Sequence, residues 1–369
     1  MKIRCDRPSF GEAVSVVSRV VSPRSSIPAL EGILIRTGEG GVDLYGYDLD
    51  IGICTHVEAV VEEPGEIILP AKVLLDISKR LPGETMSLSA GEKYLTEIKS
   101  GAAEYTLPGM SAEEFPEFPV QKETSSFFVP QDALSSMIGQ TLFAVSQSDT
   151  KPVHTGSLFE VGENYLQIIS VDGYRLALRR ETLKAGLALR FVVPGKTLAE
   201  VQRVLDSSAE EPVGCFVSKK HIFFKTEKYE IYSRLLEGDF LDYKAAIPNN
   251  GTIRVRVSTR ELTDSVDRVS LLINDRVRSP LRVKFEENEI RLTCSTALGR
   301  ASDSLAAKNE GGRIEMGFNN RYLLDALRAA DCDEVVLEIA GALSPMKVLP
   351  VEGDSFLFLV LPVRLKTEG

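Results

Sequence analysis

An α+β fold built three times over is what the sequence predicts, and three observations predict it. Short segments recur at a spacing of about 124 residues, and two amphipathic helical stripes recur within each interval. The rest of each interval is short β-branched runs between turn residues. The 369 residues are three times 123, and each third is a comfortable size for one domain.

The first recurring set is Ile27-Pro28-Ala29-Leu30-Glu31-Gly32-Ile33-Leu34-Ile35, answered by Lys151-Pro152-Val153-His154-Thr155-Gly156-Ser157-Leu158-Phe159. Its third copy, Arg278-Ser279-Pro280-Leu281-Arg282-Val283, is fainter. The second set is Tyr45-Gly46-Tyr47-Asp48-Leu49, then Ser170-Val171-Asp172-Gly173-Tyr174-Arg175-Leu176, then Cys294-Ser295-Thr296-Ala297-Leu298-Gly299-Arg300. The third is Leu69-Pro70-Ala71-Lys72, then Val193-Pro194-Gly195-Lys196, then Gly317-Phe318-Asn319-Asn320. Three independent sets on one period favour three homologous domains; solenoid repeats are far shorter.

In order, each third reads as a short strand, an amphipathic helix, alternating strands, a second helix and further strands. Ser9 and Glu12 have capping-box spacing ahead of Phe10, Ala13, Val14, Val17, Val20 and Val21. The middle third starts its counterpart after Pro130, with Leu134, Ile138, Leu142 and Val145. The last third places Ser258 and Glu261 before Leu262, Val266, Val269 and Leu272. The second helices carry Leu74, Ile77 and Leu81; Leu198, Val201, Val204 and Leu205; then Leu323, Ala326, Leu327 and Ala330. Opposite these stripes stand Lys72, Lys79, Arg80, Lys196, Arg203, Arg321 and Arg328. Ile67–Leu69, Phe191–Val193, Ile222–Phe224 and Val335–Ile339 read as strands. Two helices and roughly eight strands per domain give an α+β architecture with domains at 1–121, 122–248 and 249–369. Glu113–Glu123 and Pro248–Thr252 read as linkers.

Composition narrows the function. The chain is 43% hydrophobic and 26% charged, ordinary for a globular protein. No apolar run reaches bilayer length and no signal-peptide core opens the sequence, so the cytoplasm is the expected address. Five scattered cysteines (Cys5, Cys54, Cys215, Cys294, Cys332) form no disulfide framework or zinc motif. Three histidines in separate segments (His56, His154, His221) leave little material for histidine catalysis. The net charge of −10 is uneven, with −8 in residues 1–123 and −1 in each later third. By charge alone this is a poor nucleic-acid binder.

Each candidate motif has a plainer reading. Pro194-Gly195-Lys196-Thr197 ends like a P-loop, but Arg190 stands where its first glycine belongs, so a strand end and helix start are preferred. Asp43, Asp48 and Asp50 could approach a cation, yet an Asp ending a strand more often caps the next turn. Asn250-Gly251-Thr252 is read as a turn, and Cys5 and Cys54 as small packed residues. Basic residues on the helices are individually a solvated face. Their recurrence on equivalent helices suggests one common wall.

Several segments resemble the bacterial sliding clamp family, the beta subunits of the replicative DNA polymerase. They run through the chain in order: IPALEG at 27–32, YDL at 47–49, LPAK at 69–72, VDGYRLA at 171–177 and VPGK at 193–196. FLDY at 240–243, GFN at 317–319, YLLDAL at 322–327 and VLPVRL at 360–365 continue the series. The resemblance implies a head-to-tail homodimer, a ring of six domains around duplex DNA, with helices lining the hole. It implies a dimer contact through Tyr105 and Leu107 of one copy and Leu271 and Leu272 of the other. It also implies a groove for short linear peptides of the DNA polymerase III catalytic subunit, the clamp loader, other polymerases and repair proteins. The matching positions are Gly173, Tyr174, Arg175, Leu176, Leu241, Ala246, Leu343, Pro345, Leu361, Pro362, Val363 and Arg364. Leu176 and Val363 could equally pack the domain core. Leu241 stands where the family usually has proline, and Leu361 and Val363 where methionine is common. The chain runs on past the usual end through Lys366, Thr367, Glu368 and Gly369. DNA contacts carry over to Arg24, Lys72, Lys151 and Lys196. The implied activity is a processivity factor without catalytic residues, cofactor or metal. Two rivals stand beside it: a peptide-binding scaffold that forms no ring, and an enzyme using Asp48, Asp172 or a cysteine.

Overall fold

The computed structural model describes residues 1–121, 124–273 and 279–365. Arg278 of the third repeat, Glu123 at the end of the expected first linker, and Lys366 to Gly369 lie outside them. Two compact units divide the chain: 1–132 with 200–235, and 133–199 with 236–369. Each contains part of the middle third.

In the first unit a twelve-stranded sheet is organised by one long strand, Ile51–Glu63. Its final residues pair with Lys2–Asp6, which continues the sheet through Thr85–Ala90 and Leu95–Ser100 to Ala103–Pro108. Its first residues pair with Tyr229–Arg234, Thr55 opposite Tyr229 and Ile51 opposite Ser233. From there the sheet runs through His221–Lys225 and Val213–Val217 to Ser125–Val129. The other edge of the long strand carries Gly41–Tyr47, then Gly32–Gly38 and Glu66–Pro70.

In the second unit nine strands run from Leu189–Pro194 through Gly156–Gly162, Tyr165–Val171 and Arg175–Thr182 to Phe356–Val360. Met346–Pro350, Glu334–Ile339, Ile253–Ser258 and Lys308–Glu310 complete this sheet. A four-stranded sheet orders Gly299–Ala306, Glu289–Thr296, Leu281–Phe285 and Ile314–Phe318.

Among the described residues the seven helices are α1 (Arg7–Val17), α2 (Ala71–Ser78), α3 (Gln131–Gly139), α4 (Gly195–Val204), α5 (Tyr243–Ala246), α6 (Thr259–Ser270) and α7 (Asn320–Ala329). Ser258 caps α6 as expected, its side chain accepting from the Glu261 N–H. For α1 the expectation fails: Asp6 is the cap, accepting from the Ser9 N–H at 2.8 Å. The helix therefore begins three residues early, with Pro8 in its first turn, where a missing N–H costs nothing. Several apolar stripes overrun their helices. Val20 and Ala144 are buried in 3₁₀ turns, Ser18–Val20 and Leu142–Ala144, that continue the stripe after the α-helix stops.

The repeated segments meet in the sheets. Gly32 is the register partner of Pro70, and Gly156 of Pro194. In the last third Leu281 faces Phe318, two residues beyond Ser279, which is why that copy looked faint. A Cβ on Gly32 would lie 2.3 Å from Ile68 Cγ2, and one on Gly156 would lie 2.3 Å from the Val193 carbonyl oxygen. Within the expected linker Glu113–Glu123, the stretch from Phe115 to Phe118 is packed rather than free. Phe115 is buried, and Phe118 meets Tyr45, Tyr47 and Tyr232 edge-on. Aromatic area withdrawn from water holds that segment down.

Gly32→Ala and Gly156→Ala should each lower the unfolding free energy by about 1–3 kcal/mol through overpacking. Gly11→Ala, inside α1 with no atom nearer than 3.8 Å to the new Cβ, should raise it by about 0.5–1 kcal/mol. Urea denaturation checks both signs.

Candidate functional site

One turn is built three times from a side-chain cap. Asp48 Oδ1 accepts from the N–H groups of Asp50 (3.0 Å) and Ile51 (2.8 Å). Asp172 Oδ1 accepts from Tyr174 (2.9 Å) and Arg175 (3.0 Å). Thr296 Oγ1 accepts from Leu298 at 3.1 Å. These caps are why the second repeat set recurs, since a short oxygen-bearing side chain folds the backbone onto itself. Leu49 sits in the turn at φ +79°, a left-handed conformation that Gly173 adopts at φ +92° without a Cβ penalty.

The carboxylates considered for a cation have local partners. Asp43 Oδ1 lies 2.8 Å from His56 Nδ1, and Asp50 pairs with Arg234 at 3.5 Å. Among the described residues no three His, Cys, Asp or Glu are grouped to hold a metal. Burial pushes the Cys5 and Cys54 thiols up to about 12, which keeps them protonated at neutral pH. The Pro194-Gly195-Lys196-Thr197 segment is a strand end followed by the first turn of α4, with Thr197 buried.

The middle turn differs from the other two in what surrounds it. Arg175 Nε donates to Asp172 Oδ2 at 2.8 Å and Nη1 to Asp325 Oδ2 at 2.5 Å. Its guanidinium lies 4.5 Å from the Tyr322 ring centre and 5.5 Å from that of Phe143. Only 12% of the arginine side chain remains exposed. Tyr174, 61% exposed, stacks on Tyr322 with centroids 5.9 Å apart and planes 26° apart.

Next to this pair the last described segment is strapped down. The Leu361 N–H donates to the Tyr174 carbonyl at 2.9 Å, and the Val363 N–H to the Gly317 carbonyl at 2.8 Å. Gly317 permits the approach: a Cβ there would lie 2.6 Å from Leu365 Cδ2. A cavity of about 890 Å³ results. Tyr174, Ile273, Pro280, Phe318, Tyr322, Leu361, Pro362 and Val363 form its apolar walls, with Ser279, Asn319, Asn320 and Arg321 as polar lining. Apolar walls with a few placed polar groups suit a short peptide or a drug-sized ligand.

Of the residues expected in a groove, Tyr174, Leu361, Pro362 and Val363 line this cavity. Gly173 and Arg175 flank Tyr174 in the turn. Arg175 acts as an internal strut, because both adjacent carboxylates already occupy its charge. Leu176 is 3% exposed and packs with Val153, Phe240, Tyr243 and Leu359, so the core alternative holds for it. Val363 is exposed, and the core alternative fails there. Leu241, Ala246, Leu343 and Arg364 are exposed and Pro345 is half-buried, but none of these five lines the cavity. Reading α7 as a core stripe passed over Tyr322 and Asp325, which lie on its flank. An aromatic and an acid beside an otherwise apolar stripe were the available signal.

The remaining expected residues are surface groups. Arg24, Lys72, Lys151 and Lys196 all have exposed side chains. Near Lys151, burial first and that lysine second hold the His154 imidazole below its usual range. Tyr105 and Leu107 are half-buried on Ala103–Pro108. Leu271, just past α6, is 83% exposed, whereas Leu272 packs against the core of the second unit.

A thrice-repeated α+β domain with an apolar cavity beside one specialised turn defines a clamp-type binding protein. Family models of the DNA polymerase III beta subunit match the chain throughout. The N-terminal domain matches residues 1–119, the central domain 128–242 and the C-terminal domain 244–364. The chain belongs to the DNA polymerase III beta subunit family, with three clamp domains and the function of a DNA sliding clamp in replication. It is 32% identical to the beta sliding clamp of Bacillus subtilis, over 99% of this chain and 100% of that one. The crystal structure of a Bacillus subtilis sliding clamp superimposes with a TM-score of 0.95, at 31% identity over 99% and 100% of the two chains. A Bartonella birtlesii clamp solved with bound griselimycin gives a TM-score of 0.93, at 30% identity over 99% and 100%. Among the described residues no helix is long and apolar enough to cross a membrane.

Asp172→Ala removes the acceptor for two turn N–H groups and one arginine contact. It should cost about 1–3 kcal/mol in urea denaturation. Asp172→Asn keeps the turn acceptor and should cost less than the alanine variant. Equal losses would mean that the cap contributes nothing.

Proposed function

We propose that two copies of this chain join head to tail into a closed six-domain ring that encircles duplex DNA without reading its sequence. The ring acts as a non-catalytic processivity factor in the cytoplasm, using no cofactor or metal. It tethers the DNA polymerase III catalytic subunit, the clamp loader and other polymerases or repair proteins through the cavity beside Tyr174.

The observation that carries this reading is a pairing rule left incomplete within one chain. The strands beginning at Ile51, Arg175 and Gly299 follow the three equivalent turns. The first pairs with Tyr229–Arg234, the last strand of the middle third, and the second with Phe356–Val360, the last strand of the last third. Among the described residues Gly299–Ala306 has only Glu289–Thr296 beside it, and Ala103–Pro108, the last strand of the first third, has only Leu95–Ser100. The same rule applied between copies pairs these two edges. A head-to-tail contact must close or extend indefinitely, and closure removes the exposed edges. Tyr105 and Leu107 lie on one edge, while Leu271 and Leu272 follow the helix packed beside the other.

Enclosure reconciles a charge of −10 with DNA. A ring cannot leave sideways, so Arg24, Lys72, Lys151 and Lys196 need only weak phosphate contacts, which carry position and no sequence information. The cavity supports the tethering role, as does griselimycin binding by clamps of Pseudomonas aeruginosa and Bartonella birtlesii. The proposed groove comprises Gly173, Tyr174, Arg175, Leu241, Ala246, Leu343, Pro345, Leu361, Pro362, Val363 and Arg364, with Leu176 packed in the core behind it.

Sizing should show a species of twice 40.5 kDa, and Leu271→Lys should shift it towards the monomer. Protein loaded on nicked circular DNA should be retained and should slide off after linearisation. Equal retention on both forms would exclude a ring.

A further inference from the structure

We infer that Asp325 is a positioning residue for the peptide cavity, acting through Arg175; this rests on the reading of that cavity as the tethering groove. Asp325 does not line the cavity. It lies on α7, and its carboxylate meets the guanidinium of a residue 150 positions earlier. Arg175 is thereby gripped on four sides: Asp172 and Asp325 at its nitrogens, Tyr322 and Phe143 at its faces.

The consequence falls on the neighbouring residue. Tyr174 precedes Arg175 in a turn whose left-handed corner, Gly173, has no atom within 4 Å of a built Cβ. Packing at that corner therefore does little to hold the turn. Asp172 and the Leu361 N–H hold the Tyr174 backbone, and the arginine next to it ties the turn to the helix that carries Tyr322, three residues before Asp325. Residues three apart on a helix share a face, so one helix face presents both the anchor and the ring that walls the cavity.

The repeat sharpens this assignment. Counted from the starts of α2, α4 and α7, the equivalents of Asp325 are Asp76 and Glu200, which are also acidic. Asp76 pairs with Arg80 just past the end of α2, and Glu200 pairs with Arg203 inside α4. The first and last turns carry Ile51 and Gly299 where the middle one carries Arg175. The acid is common to the three domains, and its use as an anchor for a turn belongs to the one that borders the cavity. Asp325 is 38% exposed, and without its charge Arg175 keeps only Asp172 as a carboxylate partner, so the guanidinium should shift from α7 and take Tyr174 with it.

The test uses the full-length dimer and griselimycin as the probe. By calorimetry Asp325→Asn should weaken griselimycin binding by roughly tenfold, the scale of coupling expected between contacting residues. Asp325→Glu should restore part of the loss, and dimer size should be unchanged. Near-ultraviolet circular dichroism is dominated by tyrosine here, because the chain has no tryptophan. It should change in Asp325→Asn without ligand, in the same sense as in Tyr174→Ala. An Asp325→Asn variant with wild-type affinity and an unaltered tyrosine signal would overturn the assignment. So would a glutamate variant as weak as the asparagine one. Failure of the wild type to bind griselimycin would instead count against the groove reading, and the tyrosine signal would still decide the role of Asp325.

Discussion

Main-chain hydrogen bonding between strands distant in sequence is the constraint on which the rest of this structure depends. Buried backbone N–H and C=O groups have to be paired, and here the pairing continues each sheet from one repeat into the next. Ile51–Thr55 find their partners 174 to 182 residues later, at Tyr229–Ser233, and Arg175–Arg179 find theirs at Phe356–Val360. The turns that launch these strands must therefore have a defined shape. Asp48 and Asp172 supply it by accepting two backbone N–H groups each, and Thr296 by accepting one. The glycines at 32 and 156 belong to the same constraint, because they let a strand lie against the one that ends at the following helix.

On that frame the chemistry is unevenly distributed. Several charged side chains of the first third pair with neighbours at the surface, among them Lys2 with Glu62, Arg36 with Glu66 and Lys99 with Glu97. Exposed pairs of this kind contribute little stability, so the acidity of that third is a property of its surface and not of its core. The pair that matters for shape is elsewhere. Arg175 is largely withdrawn from water between two carboxylates and two rings, where geometry is worth more than charge counting. It orders a turn, and the turn carries an exposed tyrosine into the wall of the cavity.

Local signals proved legible in proportion to their range. Capping by Ser258 follows from a hydroxyl three residues ahead of Glu261, and the structure agrees. At α1 the same pattern misled, because Asp6 offered a stronger acceptor three residues earlier. Glu113–Glu123 has the prolines and acids of a linker, yet Phe115 and Phe118 bury enough ring area to pin the residues around them. Within the candidate site, Tyr174 and the segment at Leu361–Val363 could be named from motifs. Pro280 and Phe318 could not, since nothing around them announces which neighbours will stand across a gap, and Tyr322 was marked only by being an aromatic beside the apolar stripe of α7.

The sequence by itself determined the threefold repetition, the helix stripes and the capping of the first turn by Asp48. Each of these is written in residues a few positions apart, where propensity and hydrogen-bond reach operate directly. Only the tertiary structure decided that the middle turn borders a cavity, that Arg175 faces Asp325, and that Ala103–Pro108 and Gly299–Ala306 are left as edges. Those outcomes depend on which strands pair across more than a hundred residues. Local periodicity is blind to that choice, because the same alternating pattern suits an edge strand and a paired one alike.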